Sequence, residues 1–166
     1  MQNDAMAQLA ATPGMLAHLV AEADDAVLNA ALPGQWSART LLAHFRDDEY
    51  LCMRLALERM LAEEAPILRF MDGAEWEPGR RRSRDRKEWL LGDFALQRQA
   101  SIAILRGLDA ADWERKGQRA EGGDFSITAL VEAWARHDAE HIAALELVLG
   151  ETLAEVKARR ARPNDR

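Results

Sequence analysis

The segment Trp134-Ala135-Arg136-His137-Asp138-Ala139-Glu140-His141 places two histidines one helical turn apart. Side chains at i and i+4 on a helix have Cβ atoms roughly 5–6 Å apart and point the same way, so two imidazoles at that spacing can share one metal ion. Both fall in the apolar stripe Leu130, Trp134, His137, His141, Ala144 and Val148, where histidine is out of place unless something binds it. A third, His44, occupies the stripe of another segment, with Leu41, Asp48, Leu51 and Leu55. Three neutral imidazoles converging inside a helical bundle describe a divalent-metal site. Imidazole donors suit zinc, nickel, iron or copper. Three protein ligands leave positions for water or substrate, as in catalytic rather than structural zinc sites. The competing explanation is three core histidines, each separately buried and separately hydrogen-bonded.

Other residues could serve such a centre. Asp48 lies one turn below His44 and could orient an imidazole or accept a proton; it could equally be a core-edge aspartate paired with Arg98. Arg98 follows Phe94 by one turn on an inward face and could anchor an anionic substrate or a thiol cofactor, or form a structural ion pair. Cys52 stands eight residues beyond His44, ~12 Å along a helix axis, too far to share an ion easily. It reads as a small buried apolar residue. His18 falls opposite the face of Leu16, Leu19 and Val20, beside Glu22 and Asp25, and reads as exposed. Asp138 and Glu140 lie toward the helix flanks and read as solvated or interface carboxylates, while Trp134 is expected to line the cavity.

The elements that must position these residues read as helices. Ala, Leu, Glu and Arg dominate the chain, which favours helix. Thr12-Pro13 looks like an N-cap and first helical residue of a helix reaching about Asn29. Leu32-Pro33-Gly34-Gln35 is a turn. Ser37 caps a second helix to about Glu64, with Trp36 and Leu41 as a hydrophobic staple. Residues 66–84 form a long crossover. Asp85 and Glu88 suggest an acidic capping box for a third helix to about Gly107, with Leu91, Phe94, Ile102 and Leu105 inward. A loop follows, with a short turn at Asp109–Trp113. Ser126 caps a last helix, stapled by Phe125 and Leu130 and stopped at Gly150. No segment alternates convincingly like a strand. The expected organisation is one domain over residues 1–150 with a partly disordered extension over 151–166.

Composition narrows the partners. A formal charge of −6 gives no general attraction to nucleic acid or an anionic membrane. The basic run Arg80-Arg81-Arg82-Ser83-Arg84-Asp85-Arg86-Lys87 lacks interleaved aromatics and reads as a solvated loop that could grip a partner subunit. No segment approaches the ~20 apolar residues of a membrane helix. One cysteine and no apparent signal peptide fit a reducing, cytoplasmic setting.

At these residues the chain resembles the DinB/YfiT-like superfamily. The match includes Trp36-Ser37-Ala38-Arg39, then His44 with Asp47 and Glu49. It continues through Phe94 and Arg98, Leu108 with Asp112-Trp113, and His137-Asp138 with His141. The resemblance implies an all-α four-helix bundle with a long crossover between helices 2 and 3, a metal site on His44, His137 and His141, and a homodimer. It also implies a divalent ion, zinc or nickel before iron or manganese. Characterised relatives are thiol-dependent S-transferases and isomerases using low-molecular-weight thiols such as bacillithiol or mycothiol; many others are described only as metal-dependent hydrolases. Two departures concern substrate choice. Gly117 is followed by Gln118 where relatives often carry histidine, and Ala144 stands where they often carry an amide.

Three functions are compatible with these residues. The first is a metal-dependent S-transferase acting on a small-molecule electrophile, with Asp48 as proton acceptor and Arg98 as anion anchor. The second is a hydrolase activating water at the same ion. The third is a non-catalytic, metal-stabilised stress or interaction protein.

Overall fold

Thr12-Pro13, which reads as the start of a helix, sits inside one. A computed structural model describes residues 2–70 and 85–161. Its first helix, α1, spans Gln2–Leu19 with Pro13 in its interior. Proline lacks the N–H that would bond the carbonyl four residues back, a loss that ordinarily costs about 3 kcal/mol in a helix interior. Here that carbonyl belongs to Leu9, and it accepts a 2.9 Å hydrogen bond from Nη1 of Arg98. The donor missing from the helix is supplied by another helix. The chain beyond Leu19 does not continue to Asn29 as one helix: a separate short helix, α2 (Asp25–Asn29), begins at its own cap, where Asp24 accepts from the Val27 N–H.

The Leu32–Gln35 turn is present, closed by the Gln35 N–H on the Leu32 carbonyl, with Gly34 at φ +73°. Ser37 caps α3 (Ala38–Asp48) by accepting from the Thr40 N–H. Trp36 and Leu41 join the same apolar cluster. The helix then widens into a π-helical turn (Glu49–Arg54) before resuming as α4 (Leu55–Ala62). This turn corrects the stripe expected beyond Asp48. An extra residue per turn shifts the phase, so Leu51 and Leu55 are 38% and 49% exposed while Cys52, Met53, Ala56 and Leu57 are buried.

The third long helix, α5 (Lys87–Arg106), starts without a side-chain cap. Asp85 does not close the expected box. Its carboxylate faces Arg46 at 3.7 Å, and its carbonyl accepts from Arg39. Lys87 donates to the carbonyls of Val20, Ala21 and Ala23, satisfying the chain after α1. Residues 80–84 of the basic run lie outside the described residues. Asp109 caps the short helix α6 (Ala110–Trp113) through a capping box with Asp112.

Strands are present where none was expected. β1 (Ile67–Leu68), β2 (Lys116–Arg119) and β3 (Asp124–Ser126) form a small sheet, with β1 parallel and β3 antiparallel to β2. They are too short to show alternation in sequence. The last helix, α7 (Ile127–Ala161), begins with Ser126 accepting from the Ala129 N–H. Gly150 does not stop it: Thr152 is buried, and Leu153 and Val156 pack on the core, so apolar contact carries the helix past the glycine. No helix of the described residues is long and apolar enough to cross a membrane.

The bundle forms because α1 packs on α5 and α7, and α3 packs on the same two helices. Its core is divided. One apolar cluster contains Leu16, Phe45, Phe94 and Ile142; the other contains Leu9, Met53, Ile102 and Ala135. Between them every long helix contributes buried polar groups: Thr12 on α1, Asp48 and Glu49 where α3 widens, Arg98 on α5, and Asp138 on α7. Apolar burial at about 1.5–3 kcal/mol per large side chain holds the two ends, and the polar layer between them carries the chemistry.

Candidate metal centre

The three histidines meet in that layer. One ring nitrogen from each of His44, His137 and His141 lies within 4.8 Å of the others. The Nε2 atoms of His44 and His137 are 3.1 Å apart. Two imidazole nitrogens on one tetrahedral zinc, each bonded at 2.0–2.1 Å, would stand roughly 3.3 Å apart. The donor set, its spacing and its chemistry therefore fit a divalent ion. The ring centroids of His137 and His141 are 4.4 Å apart, as the one-turn spacing predicts.

Surroundings favour a neutral His141 ring. Burial pulls the His141 pKa down to about 4, with His137 adding to the effect. Trp36 is stacked near-parallel to His141 at 6.1 Å and edge-on to His44 at 5.0 Å. Trp36, not Trp134, therefore lines the site. Trp134 is 1% exposed and lies instead beneath the Arg98 guanidinium.

The histidines open onto a cavity of about 470 Å³, a size suited to a small molecule. Met53, Phe70, Phe125 and Leu130 make its walls largely apolar. Phe125 comes from β3, and Phe70 follows β1, with ring centroids 6.0 Å apart. Arg119 of β2 also lines the cavity, its guanidinium 5.2 Å over the Phe125 ring. No carboxylate among the described residues pairs with it. The sheet thus supplies one wall, and the residues it contributes carried no helical periodicity by which to be found. Gln118 is exposed, and Ala144 packs on the core rather than in the cavity.

Asp48 is where a proton acceptor is wanted. It lines the cavity, and its Oδ2 is 3.3 Å from Nε2 of His137. Burial pushes its carboxyl up, against a hydrogen bond from Cys52 and the nearby His137. Cys52 is buried, lines the same cavity and is no member of the three-histidine group. His18 is exposed, as its phase implied.

Arg98 is placed otherwise than expected. It pairs with neither Asp48 nor the cavity. Its Nε donates to Glu49 at 2.9 Å, with Nη2 in ion-pair contact with the same oxygen at 2.8 Å; Nη1 and Nη2 donate to Asp138 at 2.6 and 3.2 Å, and Nη1 also donates to the Leu9 carbonyl. All three guanidinium nitrogens are committed to buried partners through four hydrogen bonds, and the group does not line the cavity where an anionic substrate would sit. Asp138 is correspondingly no solvated carboxylate: it is 1% exposed, and Thr12 donates to it at 2.7 Å. Its position one residue after a ligand suggested a flank; the partner that draws it inward, Arg98, is distant in sequence. Glu140, by contrast, is exposed.

A helical bundle with a three-imidazole cluster at the floor of an apolar cavity defines a metal-binding class of protein. The DinB superfamily model matches residues 8–145, and the chain belongs to that superfamily. It is 24% identical to a protein of Oceanobacillus iheyensis named "putative metal-dependent hydrolase", over 85% of this chain and 81% of that one. Its fold is shared with YfiT from Bacillus subtilis, described as a probable metal-dependent hydrolase with an unusual four-helix bundle topology. The TM-score is 0.82 at 19% identity, covering 89% of this chain and 85% of YfiT.

Proposed function

We propose that this protein is a metal-dependent enzyme that transfers a low-molecular-weight thiol to an apolar electrophile. The observation that carries the metal-dependent reading is the cluster of three imidazoles at the floor of the cavity. His44, His137 and His141 would hold the ion, with zinc or nickel best suited to all-imidazole donors. When bound, the ion supplies Lewis acidity, making a water or thiol brought beside it a stronger acid.

The chain's own groups have separable roles. Asp48, within 3.3 Å of a ligating ring, takes the proton released by the thiol as its sulfur adds to one carbon of an activated double bond; the π electron pair moves to the neighbouring carbon, which then takes the proton back, so that no group leaves. Met53, Phe70 and Phe125 bind the apolar body of the electrophile and exclude water. Arg119, a cation without a carboxylate partner among the described residues and set on a largely apolar wall, suits a carboxylate carried by the thiol. A second reading is hydrolysis. It is favoured by Asp48, which offers water the same proton acceptor, and by the names of the two relatives.

Elemental analysis of the wild type beside His137→Ala tests the ion first: one equivalent is expected in the wild type and none in the variant. A panel of carboxylate-bearing and neutral thiols, offered with electrophiles and with esters or amides, separates the reactions. Conjugation that requires thiol supports transfer; ester or amide turnover without thiol supports hydrolysis. Asp48→Asn is expected to lower kcat by about 10²–10⁴-fold with metal content retained. Unchanged turnover in that variant would remove Asp48 from the mechanism.

A further inference from the structure

His137 has two ring nitrogens, and only one faces the other imidazoles. Nε2 stands 3.1 Å from His44 and 3.3 Å from Asp48. Nδ1 is buried and has no partner at hydrogen-bond distance. The carboxylate beside it is Asp138, whose Oδ1 is 3.8 Å away. Asp138 is itself held from three helices. Arg98 of α5 grips both of its oxygens, Thr12 of α1 donates to Oδ2, and α7 carries its backbone. Arg98 is fixed in turn by Glu49, which also accepts from Ser101 at 2.7 Å, and by the Leu9 carbonyl that Pro13 leaves open.

We propose that Asp138, braced by Arg98 and Thr12, is the positioning residue of the metal centre. Its Oδ1 receives the Nδ1 proton of His137, fixing the ring so that Nε2 is the ligating atom. A metal-bound imidazole needs a partner for its second nitrogen to set tautomer, ring orientation and donor strength. The 3.8 Å separation is closed by a small rotation of the imidazole, since Asp138 itself cannot move without breaking three bonds. Glu49 and Asp138 are two carboxylates against one guanidinium, all nearly inaccessible to water.

This inference rests on the metal-dependent reading, and the experiment separates the two. Zinc affinity is measured by competition with a chromophoric chelator for wild type, Asp138→Asn and Ser101→Ala. Denaturant unfolding of each metal-free protein is measured alongside. Ser101→Ala removes a bond from the same buried network without touching His137. Both variants are expected to lose stability, but only Asp138→Asn should bind zinc more weakly, by roughly 10–100-fold. Its cobalt derivative should also show shifted visible bands, and that of Ser101→Ala should not. Should Asp138→Asn fail to fold, Thr12→Val, which removes one bond to Oδ2, is expected to weaken zinc in the same direction by a smaller factor. Wild-type zinc affinity and an unaltered cobalt spectrum in the Asp138 or Thr12 variant overturn the positioning role alone. Absence of zinc binding by the wild type overturns the metal centre and this role together.

Discussion

Replacing Arg98 by methionine isolates the energetics of the buried polar layer. The Arg98, Glu49 and Asp138 side chains are 2%, 0% and 1% exposed, so water cannot replace what the substitution removes. Methionine fills similar length but donates nothing, leaving two buried carboxylates and the Leu9 carbonyl without their common partner. Removing one member of a buried pair costs about 3–5 kcal/mol, because the remaining charge is stranded. With two carboxylates stranded, the upper end of that range applies. For a chain of this size each kcal/mol shifts Tm by roughly 2–4 °C, so Tm should fall by roughly 10–20 °C. Chelator-treated protein is the right sample, since it removes any contribution from a bound ion. The pH dependence fixes the cause. In the variant, Glu49 and Asp138 lack a cation and their folded pKa values rise above the unfolded ones. Protonation then favours the folded state, and the deficit against wild type should narrow as pH falls from neutral toward the ordinary carboxylate range. Wild-type Asp138 behaves in the opposite sense: its lowered pKa contributes stability above the unfolded value that is lost as pH falls through the folded one. A deficit below about 1 kcal/mol at neutral pH, the range of surface ion pairs, would refute this account of the layer.

Three further outcomes are expected. Saturation with zinc at one hundred times its Kd should stabilise the fold by about 2.7 kcal/mol, and calorimetry of His141→Ala should show no zinc-dependent rise in Tm. The metal-free wild type should lose stability as pH falls from 6.5 to about 4, because His141 takes up a proton in the unfolded chain before the folded one does; His141→Asn should show a shallower slope in the same titration. At Gly117 an added Cβ would meet Leu68 Cδ1 at 2.8 Å and Met60 Cγ at 3.2 Å. Gly117→Ala should accordingly cost about 1–3 kcal/mol in denaturant unfolding.

Much of this arrangement is legible locally. Caps at Ser37 and Ser126 are formed by side chains within three residues of the N–H groups they satisfy, so short-range pattern identifies them. The histidine cluster is legible because one-turn spacing and apolar phase together leave imidazole few other uses. What escaped the sequence depends on distant partners. Pro13 looks like a helix start unless one knows that Arg98 serves the carbonyl it abandons. Asp138 looks solvated for the same reason, and Asp85 looks like a cap although arginines of α3 claim it. The cavity wall from Phe70, Arg119 and Phe125 is assembled by a sheet whose longest strand has four residues, too few for a period to register.

The widened turn at Glu49–Arg54 has an evolutionary consequence. Neighbouring residues on a regular helix diverge by ~100°, yet Asp48 and Glu49 are both drawn inward, one toward the cavity and the next toward Arg98. Loss of a single codon within this stretch would restore regular pitch and swing Cys52 and Met53 away from the histidines. Length changes are usually absorbed in surface loops. Here, lineages that keep both the centre and its buried scaffold are constrained to keep the residue count of a helix interior.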